Sequence, residues 1–470
     1  MANFEVVGNN IGAMICALEL AKKDNNVRLI NPFPFWGSHL VGTKVNGHRF
    51  DFGRIIFDFF SYNNDNTSDI KTYDAHVRND VGRFYTHIRE YIESYIEVNE
   101  MSTPQMFFDG KFTDDFLFAD SLNILSEFDD ATKAKIKGEL EVIIAGDRSL
   151  HASNKRNPPK KFMETNFAAV SVANHGKTLH EALIAPYLSK ILESDNPELC
   201  PQYHRIPWVP LYYPETLLTY FTAFPQELPK PKFHYPTAGY FSIIIDKLEQ
   251  AIKEHNNIEI IYDKVEGIKV DGESNFAVKL KNQDLYSNNF VWAGDQEQLA
   301  QVLNADSPAE ETQKLPITFT FVRLKSEAVK RKFSVLVVVD ADQVPYRITN
   351  QTNCSGIEDG YTKLAVECNP TQLIKAAGES EDDQKALIIK SLVSMKIIET
   401  PNVIDVISIK RVDKTIRIPN RKNEESFNRF YKSLSSLKGN ILQLGTSTDF
   451  VAISINDQIV QGLLIAEKYG

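Results

Sequence analysis

The first 31 residues alternate apolar and polar segments in the order strand, helix, strand. Residues 4–7 form a short strand that is apolar except for Glu5, and Gly8, Asn9 and Asn10 form a turn. Apolar residues then recur at helical spacing over residues 11–23, and residues 27–30 form a second apolar run. Because a helix connects the two runs, the strands are predicted to pair in parallel as a βαβ unit.

Strands are also predicted in the middle of the chain. A hairpin is predicted over residues 43–52, with its turn at Asn46-Gly47. Residues from about 75 to 200 favour helices, interrupted by a turn at Asp109-Gly110. Further strands are predicted at residues 258–262, 265–270, 277–281, 290–292, 317–324, 335–339, 346–349 and 363–367.

The end of the chain repeats the order of its beginning. Helices are predicted at about residues 242–253 and 384–396. A strand at 441–444 then leads to a turn at Gly445 and to a helix that runs from about Asn456 to residue 469. This alternation of strands and helices predicts an α/β protein.

Composition narrows the class of protein. The chain has 470 residues, a length that allows two or three domains. Its formal net charge of −10 argues against a nucleic-acid-binding face, which needs a basic surface. No apolar run approaches 18 residues, and Glu19 interrupts the run at 11–21, so neither a transmembrane helix nor a secretory signal is expected.

The cysteines indicate neither a zinc site nor a dithiol, because none of them forms a C-x-x-C pair. Scattered thiols are typical of a reducing compartment. We therefore expect a cytoplasmic protein without a bound metal. The four cysteines are Cys16, Cys200, Cys354 and Cys368.

The βαβ unit carries an imperfect dinucleotide-binding fingerprint, which is G-x-G-x-x-G between a strand and a helix. Gly8 holds the first position, Asn10 the second and Ala13 the third. Gly8 would make the tight turn, whereas Asn10 stands where the backbone must approach a pyrophosphate. Together with Gly12, these residues are candidate contacts at a helix N-terminus, which attracts anions.

Asn31 occupies the position of the acid that holds a ribose in this fingerprint. An Asn side chain can hydrogen-bond a ribose hydroxyl, but charge-assisted hydrogen bonds are roughly twice as strong as neutral ones. We therefore expect weakened dinucleotide binding. The alternative is a βαβ unit that packs as a scaffold and binds no nucleotide.

Two runs after the second strand match motifs of a known family. The first is Trp36-Gly37-Ser38-His39, and residues 47–57 have the sequence G-H-R-F-D-F-G-R-I-I-F. They resemble the flavin-facing L-G-G loop and the G-x-x-F-D-x-G-x-H-x-F segment of the FAD-dependent amine oxidase, protoporphyrinogen oxidase and desaturase superfamily. Gly53 is kept in the second motif, and Ile55 replaces the usual His.

Later segments extend this resemblance over most of the chain. Val265 stands on a strand similar to the one that contacts the adenosine end of FAD in this superfamily. Gly294 ends a segment similar to the strand that ends near the cofactor. Residues 445–456 resemble the C-terminal G-R-x-G-x-F-x-Y-x-N-M-D motif, with Gly445 kept and Thr446 in place of the Arg. The resemblance implies that the helix starting at Ile455 and Asn456 aims its N-terminus at the flavin pyrimidine.

Residues 344–348 resemble a strand of the UDP-galactopyranose mutases, which are the nearest branch of the superfamily. In that branch an Arg serves substrate phosphate, and the resemblance implies this role for Arg347, one residue short of the usual spacing. The alternative is an Arg that pairs with a carboxylate. Tyr346 and Tyr240 are further candidates to bind substrate.

His39 is the candidate catalytic residue, as a proton carrier in the flavin-facing loop. The alternative is a histidine that satisfies a loop carbonyl. The aromatic runs at 33–36 and 57–60 are expected in the core, and their exposure would indicate an apolar substrate or a membrane surface.

These observations predict a discontinuous Rossmann-type FAD-binding domain at about residues 1–75, 225–305 and 405–470. A mixed α+β substrate domain would occupy residues 76–224 and 306–404. The leading hypothesis is a FAD-dependent oxidoreductase acting on a small molecule. The alternatives are a mutase-like enzyme acting on a sugar nucleotide and a non-catalytic relative that keeps the fold for binding or assembly.

Overall fold

The computed structural model describes residues 2–59, 88–119, 121–151, 160–192, 199–201, 211–222, 232–271, 275–304, 312–435, 441–448 and 454–470, so Phe60 of the second aromatic run lies outside it. The strands are β1 (Asn3–Val7), β2 (Asn26–Ile30), β3 (Thr43–Val45), β4 (His48–Phe50), β5 (Phe57–Asp58), β6 (Val98–Glu100), β7 (Gln105–Phe108), β8 (Lys111–Asp114), β9 (Phe233–Pro236), β10 (Ile258–Ile261), β11 (Val265–Asp271), β12 (Asn275–Leu280), β13 (Asp284–Ser287), β14 (Asn289–Trp292), β15 (Ile317–Lys325), β16 (Val335–Val338), β17 (Arg347–Asn350), β18 (Tyr361–Cys368), β19 (Ile404–Val412) and β20 (Ile441–Gln443).

The helices alternate with these strands. They are α1 (Ile11–Ala21), α2 (Asp130–Ala145), α3 (Lys160–Glu164), α4 (Phe167–His175), α5 (Lys177–Leu179), a π-helical turn (His180–Ile184), α6 (Ala185–Ile191), α7 (Pro214–Thr222), α8 (Ile243–Glu254), α9 (Gln296–Val302), α10 (Gln351–Ser355), α11 (Pro370–Ala377), α12 (Glu381–Ser394), α13 (Arg421–Ser435) and α14 (Ile455–Tyr469). Within the described ranges, no helix is both long enough and apolar enough to cross a membrane.

A five-stranded parallel sheet is built around the N-terminal βαβ unit. Its strand order is β10–β2–β1–β14–β20, and every neighbouring pair is parallel. The predicted parallel pairing of β1 with β2 is therefore confirmed. Since all the strands run in one direction, their carboxyl ends meet at a single edge.

A seven-stranded sheet forms the second large layer, in the order β19–β15–β18–β17–β16–β7–β8. Its neighbours are antiparallel except for β16 and β7, which are parallel. The first strand, β19, begins at Ile404 and pairs with β15, although the sequence assigns residues 405–470 to the cofactor domain. The division of the chain into two domains stays a prediction.

Smaller elements join the two layers. The predicted hairpin is present as β3 and β4, with positive φ angles at Asn46 and Gly47 in its turn. A short antiparallel sheet pairs β9 with both β5 and β6. One continuous apolar core contains residues of both large sheets, for example Val6 of β1 and Phe321 of β15.

Helices α1 and α14 touch through their backbones. A Cβ added to Gly12 would lie 2.7 Å from the carbonyl oxygen of Gln458, and a Cβ added to Gly462 would lie 2.7 Å from the carbonyl oxygen of Gly12. Only glycine allows such an approach. The contact brings the N-terminal turns of the first and last helices side by side at the carboxyl edge of the parallel sheet.

Residues 75–200 were predicted to be mostly helical, and this prediction is wrong for β6, β7 and β8. These strands are three or four residues long, which is too short to display an alternating pattern. The strand β13 was also missed.

Candidate cofactor and substrate site

The predicted cofactor contacts meet at the carboxyl edge of the parallel sheet. Gly8 directly follows β1, and Asn31 directly follows β2. Gly294 and Gly445 come two residues after the ends of β14 and β20. In open α/β sheets, the crevice beyond these strand ends binds the nucleotide. The N-terminal turn of α1 begins at the same edge.

Gly8 makes the tight turn that the fingerprint requires. Its φ is +143°, and its N–H donates to the carbonyl oxygen of Ile30 at 3.0 Å. A Cβ at this position would lie 2.8 Å from the Cβ of Ala293. A side chain here would therefore push β1 away from β14.

Asn10 acquires a structural role at the second fingerprint position. Its Oδ1 caps α1 by accepting from the N–H of Ala13 at 2.9 Å, and its Nδ2 donates to the carbonyl oxygen of Ala293 at 2.6 Å. Because the cap engages only Ala13, the N–H groups of Ile11 and Gly12 have no partner inside the helix. These two donors remain for an anion.

Asn31 does not offer its side chain to a ribose, contrary to the expectation from the sequence. The residue is fully buried. Its Oδ1 accepts from the N–H of Phe33 at 2.9 Å, and its Nδ2 donates to the carbonyl oxygen of Phe35 at 3.1 Å. Both polar groups are thus used to build the turn that follows β2.

His39 lies in the loop that continues from this turn. Gly37 has a φ of +86°, and Ser38 begins a short 3₁₀ turn that contains His39. The imidazole is solvent-exposed, yet desolvation by the surrounding protein lowers its pKa. It makes no hydrogen bond to any described residue, so the structure does not support the alternative in which it satisfies a loop carbonyl.

Thr446 and its neighbours form a polar network at the end of β20. The hydroxyl of Thr446 donates to Asp295 at 3.0 Å, and its carbonyl oxygen accepts from Arg417 at 2.7 Å. The N–H of Gly445 donates to Gln461 at 2.7 Å. Thr446 therefore stands where the family motif has an Arg, next to a charged pair of this chain.

Helix α14 begins one residue before the predicted start at Asn456. Its N-cap is Ser454, which forms a capping box with Asp457. Ile455 is the first helical residue, and Asn456 is buried in the first turn, where its Nδ2 donates to the carbonyl oxygen of Asp58. The Oδ1 of Asn456 is buried without a hydrogen-bond partner in the described chain. Such an acceptor needs a donor, which a ligand can supply.

Arg347 forms a buried ion pair in the seven-stranded sheet. It lies opposite Glu367 on β18, and its Nε donates to one carboxylate oxygen at 2.7 Å while its Nη2 donates to the other. Burial alone would lower the pKa of Arg347, but the pair with Glu367 raises it. The hydroxyl of Tyr346 donates to the same carboxylate at 3.2 Å. This geometry favours the alternative of an Arg paired with a carboxylate, and the substrate role stays a prediction.

The remaining predicted residues lie around the crevice. Val265 is buried in an apolar cluster with the last residues of β1 and β2, so it packs behind the strand ends. Gly53 packs against the carboxylate of Glu367. Tyr240 contacts the guanidinium of Arg49, 4.5 Å from its ring centroid, and its predicted role with substrate stays untested.

The segment from Gly53 to Asp58 connects the two halves of the site. Gly53 touches Glu367 on the seven-stranded sheet, whereas Asp58 accepts from Asn456 at the start of α14. Five residues of extended chain span at most about 18 Å. The segment therefore links the buried ion pair to the first turn of α14 through direct contacts at its two ends.

Sequence reasoning missed two charged residues beside this ion pair. Arg54 is half-buried, with its guanidinium 3.9 Å from the centroid of the Phe118 ring. Burial and the charge of Arg347 lower its pKa. Asp115 is buried and accepts from the N–H groups of Leu117 at 2.8 Å and Ala119 at 3.2 Å. In the sequence, the one signal for these residues was that Arg54 directly follows Gly53 of the family motif.

Asp115 should give the protein a pH-dependent stability. Burial raises its pKa to about 7, while the unfolded chain releases this proton near pH 3.9. Folding therefore takes up a proton between these values, so the stabilisation is present at pH 4 and is lost as the pH rises through 7. Urea unfolding should show that the free energy of unfolding of wild type decreases between pH 5 and pH 7. In Asp115→Asn this decrease should be smaller by roughly 2 kcal/mol. Asp109→Asn, in an exposed turn, serves as the control, and equal losses in all three proteins would contradict the assignment.

FAD, the cofactor that the sequence resemblance implies, is compatible with part of this edge. The Gly8 turn and the two free N–H groups at the start of α1 suit a pyrophosphate. The orphaned Oδ1 of Asn456 and the start of α14 suit a group that both donates and accepts, such as a flavin pyrimidine. Asn31 does not supply the ribose contact, so the adenosine end must be held by other residues.

Comparison with known proteins gives matches in structure only. No family model matches the chain, and no curated protein sequence matches it. A reduced UDP-galactopyranose mutase superimposes with a TM-score of 0.70 at 12% identity, covering 99% of this chain and 94% of its own. A protoporphyrinogen oxidase-like protein from Exiguobacterium gives 0.63 at 14% identity, covering 99% and 98%. Cyclohexylamine oxidase from Brevibacterium oxydans gives 0.63 at 13% identity, covering 99% of each chain.

These matches confirm the predicted fold. The chain shares the fold of these three solved structures, with a Rossmann-type parallel sheet and a second mixed sheet. The resemblance inferred from short motifs therefore extends over nearly the whole chain. At such low identity the likeness concerns the fold alone, because one fold hosts many reactions.

Proposed function

We propose that the protein is a FAD-dependent oxidoreductase that acts on a small molecule. One observation carries the proposal: the Gly8 turn, the start of α1 and the start of α14 converge at the carboxyl edge of the parallel sheet. Bound there, FAD would supply the electron transfer through its flavin ring.

The start of α14 would stabilise negative charge on the pyrimidine edge of the flavin. The capping box engages Ser454 and Asp457 and leaves the N–H groups of Ile455 and Asn456 as donors. A helix N-terminus also carries a partial positive charge. The buried Oδ1 of Asn456 would accept a hydrogen bond from the ligand.

The substrate would bind between this edge and the seven-stranded sheet. Arg54 and the pair formed by Arg347 and Glu367 would line that space, and these charged groups would favour a polar or anionic substrate. His39, whose lowered pKa keeps it neutral at pH 7, would accept a proton from the substrate.

The absorbance spectrum of the purified protein tests this proposal. We expect the bands of bound flavin, either as purified or after incubation with FAD and removal of the free cofactor. A candidate substrate should then bleach these bands under anaerobic conditions. Protein that retains no flavin after incubation would contradict the proposal, and retained flavin that no substrate class reduces would favour the non-catalytic relative.

A sugar-nucleotide mutase is the second candidate. The observation that favours it is the TM-score of 0.70 with a reduced UDP-galactopyranose mutase, together with Arg347 on β17 of the seven-stranded sheet. In such a reaction the reduced flavin acts without net redox change. UDP-galactose should then raise the melting temperature of the chemically reduced protein more than that of the oxidised protein, and equal or absent shifts would exclude this candidate.

A further inference from the structure

Exposed aromatic side chains concentrate at the carboxyl ends of β2 and β10. Phe33 and Phe35 are each 42% exposed, and Tyr262 is 55% exposed. The rings of Phe33 and Phe35 lie 5.7 Å apart between centroids, and Tyr262 contacts the buried Trp36. By contrast, Phe57 and Phe59 of the second aromatic run are buried. We call Phe33 and Phe35 the aromatic platform.

The platform is held firmly in place. The side chain of Asn31 binds the N–H of Phe33 and the carbonyl oxygen of Phe35. Asn9 donates to the same carbonyl oxygen at 3.3 Å, and its own carbonyl oxygen accepts from the N–H of Gly37 at 2.6 Å. Two phenyl rings are therefore exposed on a loop that is anchored to the Gly8 turn. Pre-organisation of this kind lowers the cost of binding a flat ligand.

The position of the platform identifies its occupant. It follows β2, where a dinucleotide places its adenosine half in this type of sheet. The residue expected to hold the ribose, Asn31, is consumed in building the loop. An aromatic face can hold a base without any hydrogen bond, because stacking contributes about 1–3 kcal/mol per base.

We infer that Phe33 and Phe35 stack on the adenine of the bound dinucleotide and replace the ribose contact as the anchor of the adenosine half. This inference rests on the proposed function and specifies how this chain would hold FAD. A membrane surface is the competing occupant. The loop from residue 31 to 41 contains no Lys or Arg and the chain has a net charge of −10, which disfavours an anionic bilayer.

Three proteins test the platform: wild type, the double variant Phe33→Ala/Phe35→Ala, and Tyr431→Ala. Tyr431 is 51% exposed on α13, so its variant controls for the loss of an exposed ring elsewhere. Affinities for FAD, ADP and 2′-deoxy-ADP are measured by calorimetry. We expect the double variant to bind FAD and ADP about tenfold more weakly, and Tyr431→Ala to match wild type. For wild type, ADP and 2′-deoxy-ADP should agree within about twofold, since no hydrogen bond to the ribose hydroxyl is involved.

The outcomes separate this inference from the proposed function. If wild type and the double variant bind FAD with equal affinity, the inferred role of the platform is overturned and the flavoprotein proposal still holds. A tenfold preference for ADP over 2′-deoxy-ADP also overturns it. If wild type binds ADP but not FAD, and the double variant binds ADP more weakly, the platform is supported and the flavoprotein proposal is overturned. Loss of binding to phosphatidylserine vesicles in the double variant, with unchanged nucleotide affinity, would assign the rings to a membrane instead. Wild type that binds neither nucleotide overturns both.

Discussion

Asn10→Asp is expected to weaken FAD binding at least thirtyfold. The substitution preserves shape, and Oδ1 can still cap Ala13, but it adds a negative charge at the start of α1. Two unit charges about 5 Å apart repel by about 3 kcal/mol at an effective dielectric constant of about 20. The proposed pyrophosphate would lie in this range, so most of the affinity should be lost. Loss of the donor to Ala293 should also destabilise the protein by about 1–3 kcal/mol.

Asn25→Asp provides a matched control for this change in charge. Asn25 is buried, accepts from the N–H of Ala2 at 3.0 Å and donates to the carbonyl oxygen of Leu20 at 3.1 Å. It precedes β2 and therefore lies at the opposite edge of the sheet. FAD titration followed by flavin fluorescence should show wild-type affinity for Asn25→Asp. If both variants bind FAD like wild type, the pyrophosphate does not lie at α1.

Glu367→Gln should be the most destabilising conservative change in the seven-stranded sheet. Glu367 is 1% exposed, and it neutralises Arg347, which is 8% exposed. Removing one partner of a buried ion pair leaves an uncompensated charge and costs about 3–5 kcal/mol. Differential scanning fluorimetry should detect a decrease in melting temperature of roughly 3–5 °C.

The pair formed by Arg323 and Asp405 serves as the control in the same sheet. Asp405 is 44% exposed on β19, and exposed pairs contribute about 0–1 kcal/mol. Asp405→Asn should therefore leave the melting temperature nearly unchanged. A similar small effect of Glu367→Gln would mean that Arg347 finds another acceptor, and it would revive the predicted role of this residue in substrate binding.

The sequence predicted the strands with long apolar runs and the βαβ unit, because burial on both faces leaves a continuous pattern. It failed at β6, β7 and β8, whose short strands gain stability from their neighbours in the sheet. It also misplaced the start of α14. Ser454 is followed three residues later by Asp457, and this spacing, which is typical of a capping box, was available in the sequence.

The candidate site was less predictable than the fold. Gly8 and Gly37 behave as their motifs imply, since each has a positive φ. The partners of Asn31 lie only two and four residues away, but a sequence does not tell whether a buried amide serves its own turn or a ligand. Arg347 and Glu367 are adjacent only through the register of β17 with β18, which single-sequence patterns do not determine.

The strands of the parallel sheet are far apart in the sequence, so the sheet can be completed only late in synthesis. β1 emerges first from the ribosome, but its neighbour β14 begins at Asn289 and the edge strand β20 begins at Ile441. At about 5–20 residues per second, synthesis from β1 to β20 takes about 20–90 s. β2 is available at once, but the other edge of β1 lacks its partner until β14 is synthesised, and the crevice between α1 and α14 forms only after β20. The nucleotide is therefore expected to bind only after translation of this region is finished, so that cofactor binding is one of the last steps of assembly.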